Sequence, residues 1–297
     1  MAMTSPAESK MMAASDASGT NPVAKGDPFL SKPLPVPEQL PAAERLVDIE
    51  TARLWCWDTG GAGEPVVLLH AIVGSGAMWL HQQPVLAAAG YRVIGYSRRG
   101  HFGSDAGDPA DPGTGAGDLA ALLDRLDVPS AHIVGTAGGG FLAADFAIAF
   151  PHRVRSLTLS TSLVAVQDRD YMAATMAMRD HAFESLPREF REVGPGYRAS
   201  NPEGLAAWLA LTAEGRPIEI AQRFLSALDL AALRDLRMPT LVIASDADMY
   251  APPPVMRRVA QAIPGASLGL IAGAGHSAYW EQPQAFNEMI LEFLGRT

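Results

Sequence analysis

The stretch IVGTAGGGFLAADFA, residues 133–147, decides the fold. It begins as a buried strand, passes through a tight glycine turn and continues with the apolar pattern of a helix. A strand, a sharp turn and a helix form a nucleophile elbow, in which the serine of a G-x-S-x-G pattern stands at the top of the turn. The pattern is occupied here by Gly135, Thr136, Ala137, Gly138 and Gly139. The sequence therefore predicts the backbone of an elbow with Ala137 at the place of the serine.

The composition is that of a globular chain with an excess of acidic residues. The chain has 297 residues, of which 48% are hydrophobic and 19% charged, and this is enough for a sizeable core. Its net charge of −9, without a basic cluster, argues against nucleic acid or an anionic membrane as a partner. No apolar run reaches the roughly 18–20 residues of a membrane span. We therefore expect a small-molecule substrate as the partner, and the oligomeric state stays unknown.

Cysteine and histidine usage narrows the chemistry further. Cys56 is the only cysteine, so an intrachain disulfide is excluded and a cysteine-rich metal site is disfavoured. Because Cys56 lies in the strand-like stretch ARLWCWD, we interpret it as a packed thiol. No histidines and carboxylates follow a metal-ligand spacing such as H-E-x-x-H. We expect neither a metal nor a cofactor.

The first 40 residues differ in composition from the rest of the chain. They are rich in Ala, Ser, Pro, Gly and Met and lack the unbroken apolar core of a secretory signal. We predict that residues 1–40 form a disordered tail that carries no chemistry. The lack of a secretory apolar core indicates a cytoplasmic protein, with a degraded or cleaved leader as the alternative.

Downstream of the tail, short apolar runs alternate with helical patterns. The runs 45–49 and 52–57 predict an antiparallel pair. Further strands are predicted at 65–69, 91–96, 131–135, 154–160, 239–245 and 266–271. A helix that carries Met78, Trp79 and Val85 is predicted before the second of these strands. Strands that alternate with helices favour a parallel sheet covered by helices on both faces.

The alternation stops between residues 163 and 235, where Met- and Ala-rich helical stretches contain no clear strand. An insert of this kind is placed to cover the carboxyl ends of the strands, where ligands bind in open α/β sheets. We predict a core in two parts, 41–162 and 236–297, with a helical lid at 163–235. Its Met and aromatic residues are expected either to line a mixed apolar pocket or to pack in the core: Tyr171, Met172, Met176, Met178, Phe183, Tyr197 and Trp208.

Four motifs in a fixed order resemble those of the α/β-hydrolase superfamily. They are LLHAIVGSGAMW (68–79), YSRRGHFGSD (96–105), the elbow at 135–139, and the late pair SDADMYAPP (245–253) and GAGHSAYWEQP (273–283). The resemblance runs from about residue 45 to residue 297. It implies an α/β-hydrolase fold, with a mostly parallel eight-stranded sheet and a helical lid insert, in an enzyme that uses no cofactor.

The late pair of motifs supplies a candidate base and its acid. His276 follows a glycine turn after a strand, and a histidine can take up and return protons near neutral pH. The family spacing implies that Asp248 holds the imidazole in one tautomer and stabilises its protonated form. Asp246 fits this spacing less well and is interpreted as a capping or turn residue. Asp168 and Asp170 remain outside candidates, since some family members take the acid from an earlier strand.

The first motif and the elbow together imply an oxyanion hole. The resemblance assigns its two backbone N–H groups to Ile72 and Gly138. Backbone donors do not depend on a serine, so the hole is compatible with Ala137. Ala71 replaces the usual glycine of the first motif. The resemblance also makes His70 and Thr136 candidates for supporting roles.

Ala137 cannot attack a carbonyl, so an acyl-enzyme at this position is excluded. We interpret the alanine as native, with His276 and Asp248 as a general-base pair in a hydrolase or lyase. Its substrate would be a medium-sized, largely apolar ester, lactone or ketone. One alternative is an esterase-like serine hydrolase that carries an engineered Ser-to-Ala change. The other is a non-catalytic relative that binds a small ligand.

Overall fold

The computed structural model describes residues 34–179 and 181–297. A single sheet of eight strands lies at its centre, in the order β1-β2-β4-β3-β5-β6-β7-β8. The strands are β1 (Ala43–Asp48), β2 (Arg53–Asp58), β3 (Pro65–Leu69), β4 (Arg92–Tyr96), β5 (Ala131–Thr136), β6 (Val154–Ser160), β7 (Thr240–Ser245) and β8 (Ser267–Ile271). β2 is antiparallel to its two neighbours, β1 and β4. The remaining five pairings in the sheet are parallel. The predicted fold class is confirmed.

Helices cover both faces of this sheet. They are α1 (Gln83–Ala88), α2 (Gly115–Arg125), α3 (Gly138–Ala149), α4 (Arg169–Ala177), α5 (Arg188–Glu192), α6 (Pro195–Ser200), α7 (Pro202–Ala213), α8 (Leu230–Leu233), α9 (Pro253–Ala262), α10 (Ala278–Glu281) and α11 (Pro283–Leu294). One hydrophobic cluster joins α2, α3 and α9 to one face of the sheet. A second joins α1, α10 and α11 to the other face. Burial on both faces accounts for the continuous apolar runs of the parallel strands.

The single helix predicted around Met78, Trp79 and Val85 is wrong. The structure divides this region into a 3-10 turn at Gly76–Met78 and α1 at Gln83–Ala88. Pro84 lies in the first turn of α1, where a missing N–H costs nothing, whereas the same proline would break a helix that continued through it. The break is local and leaves the predicted order of strands unchanged.

The segment 163–235 contains α4 to α8 and contributes none of the eight strands. Among the residues of this segment that the structure describes, the one β-type contact is an isolated bridge between Thr114 and Arg223. That it acts as a lid stays a prediction.

Most of the predicted tail, residues 1–33, lies outside the described residues. Residues 39 and 40, at its end, are held against the core. Gln39 donates to the carbonyl oxygen of Leu80 over 2.8 Å, and Leu40 exchanges two hydrogen bonds with the side chain of Gln83. Of the helices in the described part of the chain, none is both long and apolar enough to cross a bilayer.

The turn between β5 and α3 is packed so closely that it requires glycine at two positions. A Cβ atom on Gly139 would lie 2.0 Å from the carbonyl oxygen of Leu69 in β3. A Cβ atom on Gly135 would lie 2.5 Å from the carbonyl oxygen of Gly139. Both neighbours are backbone atoms and cannot move aside like the end of a side chain. These glycines let α3 begin directly above the carboxyl ends of β3 and β5.

Candidate active site

Ala137 occupies a strained turn between β5 and α3. Its φ of 50° and ψ of −119° are unfavourable for a residue with a side chain. Three hydrogen bonds hold it there: its N–H donates to Ser160, and its carbonyl oxygen accepts from the N–H of Gly140 and the hydroxyl of Ser162. Because β5 is fixed between β3 and β6, the strain is maintained by the sheet. The alanine methyl group thus has the place predicted for a nucleophile.

The structure brings His276 and Asp248 together. The imidazole Nδ1 lies 3.0 Å from Oδ1 and 2.9 Å from Oδ2 of Asp248, and both side chains are buried. Asp248 is itself fixed, since its Oδ1 accepts from the N–H groups of Tyr250 and Ala251. With Nδ1–H donating to the carboxylate, Nε2 is the nitrogen that remains to accept a proton. It has no hydrogen-bond partner among the described residues.

The other three aspartates considered from the sequence do not contact His276. Asp246 accepts a hydrogen bond from the N–H of Gly273 over 2.7 Å and ties two loops together. Asp168 caps α4 by accepting from the N–H of Tyr171. Asp170 is exposed in the first turn of that helix. Each has a structural partner or faces solvent, and only Asp248 is in hydrogen-bonding contact with the imidazole.

The charge state of His276 reflects opposing influences. Burial lowers the pKa of the imidazole, but the charge and hydrogen bond of Asp248 raise it, and Glu192 and Glu281 act in the same direction. The net effect raises the pKa of His276 above its ordinary value of 6.5. A raised pKa makes the imidazole a stronger base at pH values where it is neutral.

Ile72 and Gly138 lie side by side, as expected for two residues that would share one oxyanion. A Cβ atom on Gly138 would lie 2.2 Å from Cγ1 and 3.3 Å from the backbone nitrogen of Ile72. Glycine at 138 therefore allows Ile72 to approach this closely. Within residues 34–179 and 181–297, neither N–H donates a backbone hydrogen bond. Both donors are available to a ligand.

His70 and Thr136 lie behind these residues and do not line the cavity. Buried His70 lies 2.7 Å from the carbonyl oxygen of Ala71 through Nδ1 and accepts from the N–H of Arg98 through Nε2. Burial, together with the charge of Arg98, holds its pKa well below the usual value, so it is a neutral group that orders the loop. The hydroxyl of Thr136 contacts that of Thr161, which donates to the carbonyl oxygen of His276. This pair links the elbow to the histidine loop.

Ala137 and His276 face one cavity of about 300 Å³. It is lined by Ala71, Ile72, Val73, Ala137, Gly138, Phe141, Thr161, Leu163, Arg179, Glu192, Tyr250 and His276. The ring of Tyr250 lies 4.6 Å from that of His276, and the guanidinium of Arg179 lies 5.2 Å from the Tyr250 ring. An adjoining cavity of about 320 Å³ shares Ile72, Gly138 and Phe141. The two together leave room for a medium-sized organic molecule.

Of the two places predicted for the named Met and aromatic residues of the 163–235 segment, the pocket is wrong for all of them, and the core is confirmed for the aromatic residues alone. The three methionines, at 172, 176 and 178, are 46–58% exposed. The four aromatic residues named in the prediction, at 171, 183, 197 and 208, are buried in the core and do not line the cavity. The segment contributes Leu163, Arg179 and Glu192 instead. Nothing in the sequence around the two charged residues distinguishes them from solvent-facing charges.

Glu281 connects the histidine loop to α6. Its buried carboxylate accepts from the N–H groups of Gly194, Gly275 and Ser277 over 2.8, 2.9 and 3.1 Å. Burial raises its pKa to about 7, although the three hydrogen bonds act in the opposite direction. This side chain fixes the backbone on both sides of His276.

Replacing Glu281 by alanine is expected to lower the free energy of unfolding by at least about 3 kcal/mol. Three buried N–H groups would lose their acceptor, and each costs about 1–3 kcal/mol. Urea unfolding of the wild type and E281A measures the loss, with exposed Glu288→Ala as the control, which should change stability by less than about 0.5 kcal/mol.

The loss of unfolding free energy in E281A should depend on pH. A carboxyl whose pKa is raised from 4.5 to about 7 contributes stability below pH 4.5 that disappears as the pH rises through 7. The difference between wild type and E281A should therefore be smaller at pH 8 than at pH 5. A difference that grows over this interval would contradict the assignment of a buried, weakly acidic carboxyl.

Metal and thiol chemistry find no support in the described part of the chain. No group of three or more His, Cys, Asp or Glu residues there is arranged to hold a metal ion. Cys56 is fully buried in β2, and burial raises the pKa of its thiol. The site consists of the elbow, the His276–Asp248 pair and the cavity they face.

Comparison with known proteins agrees with this architecture. Residues 66–289 match the model of the "Alpha/beta hydrolase family". The chain is 31% identical over 268 residues to a 2-hydroxy-6-oxononadienedioate/2-hydroxy-6-oxononatrienedioate hydrolase of Cupriavidus pinatubonensis, covering 82% of this chain and 91% of that protein.

Solved structures are similar as well. A hydrolase from Pseudomonas aeruginosa superposes with a TM-score of 0.69 at 27% identity, over 86% of this chain and 98% of that one. Est816, described as an N-acyl homoserine lactone degrading enzyme, gives 0.67 at 26% identity, over 85% and 100%. Since the family model covers well over half of the chain, the protein belongs to the alpha/beta hydrolase family of enzymes.

Proposed function

We propose that the protein hydrolyses a carbonyl substrate by general-base catalysis, without an acyl-enzyme. One observation carries this proposal: His276, oriented by Asp248, lines the same cavity as a residue without a hydroxyl, Ala137. A methyl group cannot form a covalent intermediate, whereas an oriented imidazole can still remove a proton from water.

The proposed reaction uses the groups in sequence. Nε2 of His276 takes a proton from a water molecule, whose oxygen attacks the substrate carbonyl carbon. The carbonyl π electrons move to the oxygen, and the N–H groups of Ile72 and Gly138 stabilise the resulting oxyanion. Asp248 stabilises the imidazolium formed in this step. Collapse of the tetrahedral intermediate then breaks the bond between the carbonyl carbon and the leaving atom. The leaving group takes up one proton, and the imidazolium gives up the proton that it took from water.

An ester, lactone or ketone is the proposed substrate, medium-sized and largely apolar. The relatives support these classes, since the names of two of them specify an oxo-dioate hydrolase and a lactone-degrading enzyme. The cavity volume of about 300 Å³ supports the size. Leu163, Arg179 and Glu192 reach the cavity from the 163–235 segment, which supports its proposed role as a lid.

A second candidate is a serine hydrolase in which residue 137 has been changed from serine. The strained dihedral angles of Ala137 favour it, because such strain benefits a nucleophile and has no evident benefit for a methyl group. In this case the serine variant would be the natural enzyme, with the same fold and the same His276–Asp248 pair.

A fluorophosphonate activity probe combined with a turnover assay tests the proposal. We expect hydrolysis of a 4-nitrophenyl ester by the unmodified chain, with no labelled residue after exposure to the probe. Labelling at any serine that accompanies loss of turnover would contradict a reaction without a nucleophile. Absence of both turnover and labelling would favour the ligand-binding alternative.

A further inference from the structure

Glu192 is an anomaly in the cavity wall. It is the last residue of α5 and is only 6% exposed, yet it lines the same cavity as Ala137 and His276. Among the described residues, none makes a hydrogen bond to its carboxyl group. Its carboxyl oxygens stay reachable from the cavity. In native proteins, a polar group held in a mostly buried position without a protein partner marks a bound water, a ligand or a catalytic role.

A structural role does not account for this side chain. The backbone already ties α5 to the histidine loop, because Ser277 N–H donates to the carbonyl oxygen of Glu192 over 3.0 Å. Glu281, the other buried glutamate near His276, shows what a structural carboxylate looks like here, with three backbone N–H partners. Glu192 has none of these, and its carboxyl group is left to face the cavity.

We propose that Glu192 is a second catalytic residue, a general acid that gives its proton to the leaving group while His276 takes a proton from water. This proposal rests on the proposed function and extends it. It replaces the single histidine relay of a serine enzyme by two groups that line one cavity together with Ala137.

Burial and nearby negative charge favour the protonated form of Glu192 that a general acid requires. Burial raises the pKa of Glu192, and the negative charge of Asp248 adds to this, while His276, Arg191 and Arg188 act in the opposite direction. His276 in turn faces Asp248, Glu192 and Glu281. Two buried groups that interact in this way titrate as a pair and can share one proton.

The proton balance of the reaction closes on this pair. His276 takes one proton from water as the oxygen–carbon bond forms, and Glu192 gives one proton to the leaving atom as the bond between carbon and that atom breaks. The site then holds an imidazolium and a carboxylate. Transfer of one proton from His276 to Glu192, through water in the cavity, restores the starting state. No oxidant, reductant or further reactant is required.

Substrates that differ only in the leaving group test the proposal. Alkoxide requires protonation as it departs, whereas 4-nitrophenolate does not. In E192Q, kcat for ethyl butyrate is expected to fall by about 10²–10⁴-fold, and kcat for 4-nitrophenyl butyrate by less than about tenfold. Glu189→Gln, on the same helix, is the matched control and should leave both substrates unaffected. An equal loss on both esters would overturn the role of Glu192 as a general acid.

A titration that does not need turnover provides the second test. The imidazole of His276, followed by NMR in the full chain, is expected to titrate at lower pH in E192Q than in the wild type, because the variant lacks the nearby carboxylate. An unchanged midpoint would overturn the shared proton. H276A distinguishes failure of this proposal from failure of the proposed function. An active H276A would contradict His276 as the general base and with it the proposed function. An inactive H276A, combined with no leaving-group effect in E192Q, would contradict only the role of Glu192 as the general acid.

Discussion

Replacing His276 by alanine is expected to lower kcat by about 10²–10⁴-fold, since general-base catalysis contributes rate factors of this size. The imidazole is the group in the cavity that an aspartate orients, through two contacts of 2.9 and 3.0 Å. Steady-state assays of the wild type and H276A with one ester measure the effect. His152→Ala, at an exposed histidine that does not line the cavity, is the control and should keep full activity.

The pH dependence of kcat/KM in the wild type should also identify His276 as the base. Because His276 must be neutral to accept a proton and its pKa is raised, kcat/KM is expected to rise with pH through a midpoint above 6.5. A fully active H276A enzyme, or a midpoint well below 6.5, would contradict the histidine as the base.

Replacing Ala137 by serine is expected to create a nucleophile beside an existing base. The new hydroxyl would stand at the elbow, in the cavity that His276 and the two N–H donors line. We expect A137S to form an acyl-enzyme with small activated esters and to become sensitive to the fluorophosphonate probe. The backbone should accept the change, since serine and alanine experience the same strain at φ 50°. A137G serves as the control, because it relaxes the backbone without adding a hydroxyl.

The size of the A137S effect separates the alternatives. If the alanine is native, the serine is not needed for turnover of the true substrate and adds only a side activity on activated esters. If the chain is an engineered variant, A137S should raise activity on the true substrate by orders of magnitude. If the protein only binds a ligand, neither A137S nor H276A changes a turnover that does not exist.

The elbow and the His276–Asp248 pair were open to prediction because their signals are local. Strand, glycine turn and helix follow one another within residues 133–147, and parallel strands bring their following loops to one edge of the sheet. The spacing implied by the resemblance to α/β-hydrolases favours Asp248 over Asp246. In the structure the two residues differ completely, since one contacts the imidazole and the other holds a glycine N–H.

Glu192 and Arg179 could not be predicted, because they reach the cavity through the packing of the 163–235 segment. A short polar helix such as REFRE has no periodicity that shows which face is buried. The same limit explains the methionines of α4, where an apolar pattern suggested burial and the side chains are exposed. Tertiary contacts between distant segments decide these positions, and local residue patterns do not encode them.

The most direct test of catalysis without a covalent intermediate is intact-protein mass spectrometry of acid-quenched reactions. The wild type and A137S would be mixed with 4-nitrophenyl butyrate and quenched during turnover. We predict an unmodified mass for the turning-over wild type, and a butyryl adduct on residue 137 for A137S. A butyryl adduct on any residue of the wild type, formed and lost at the rate of turnover, would contradict the account.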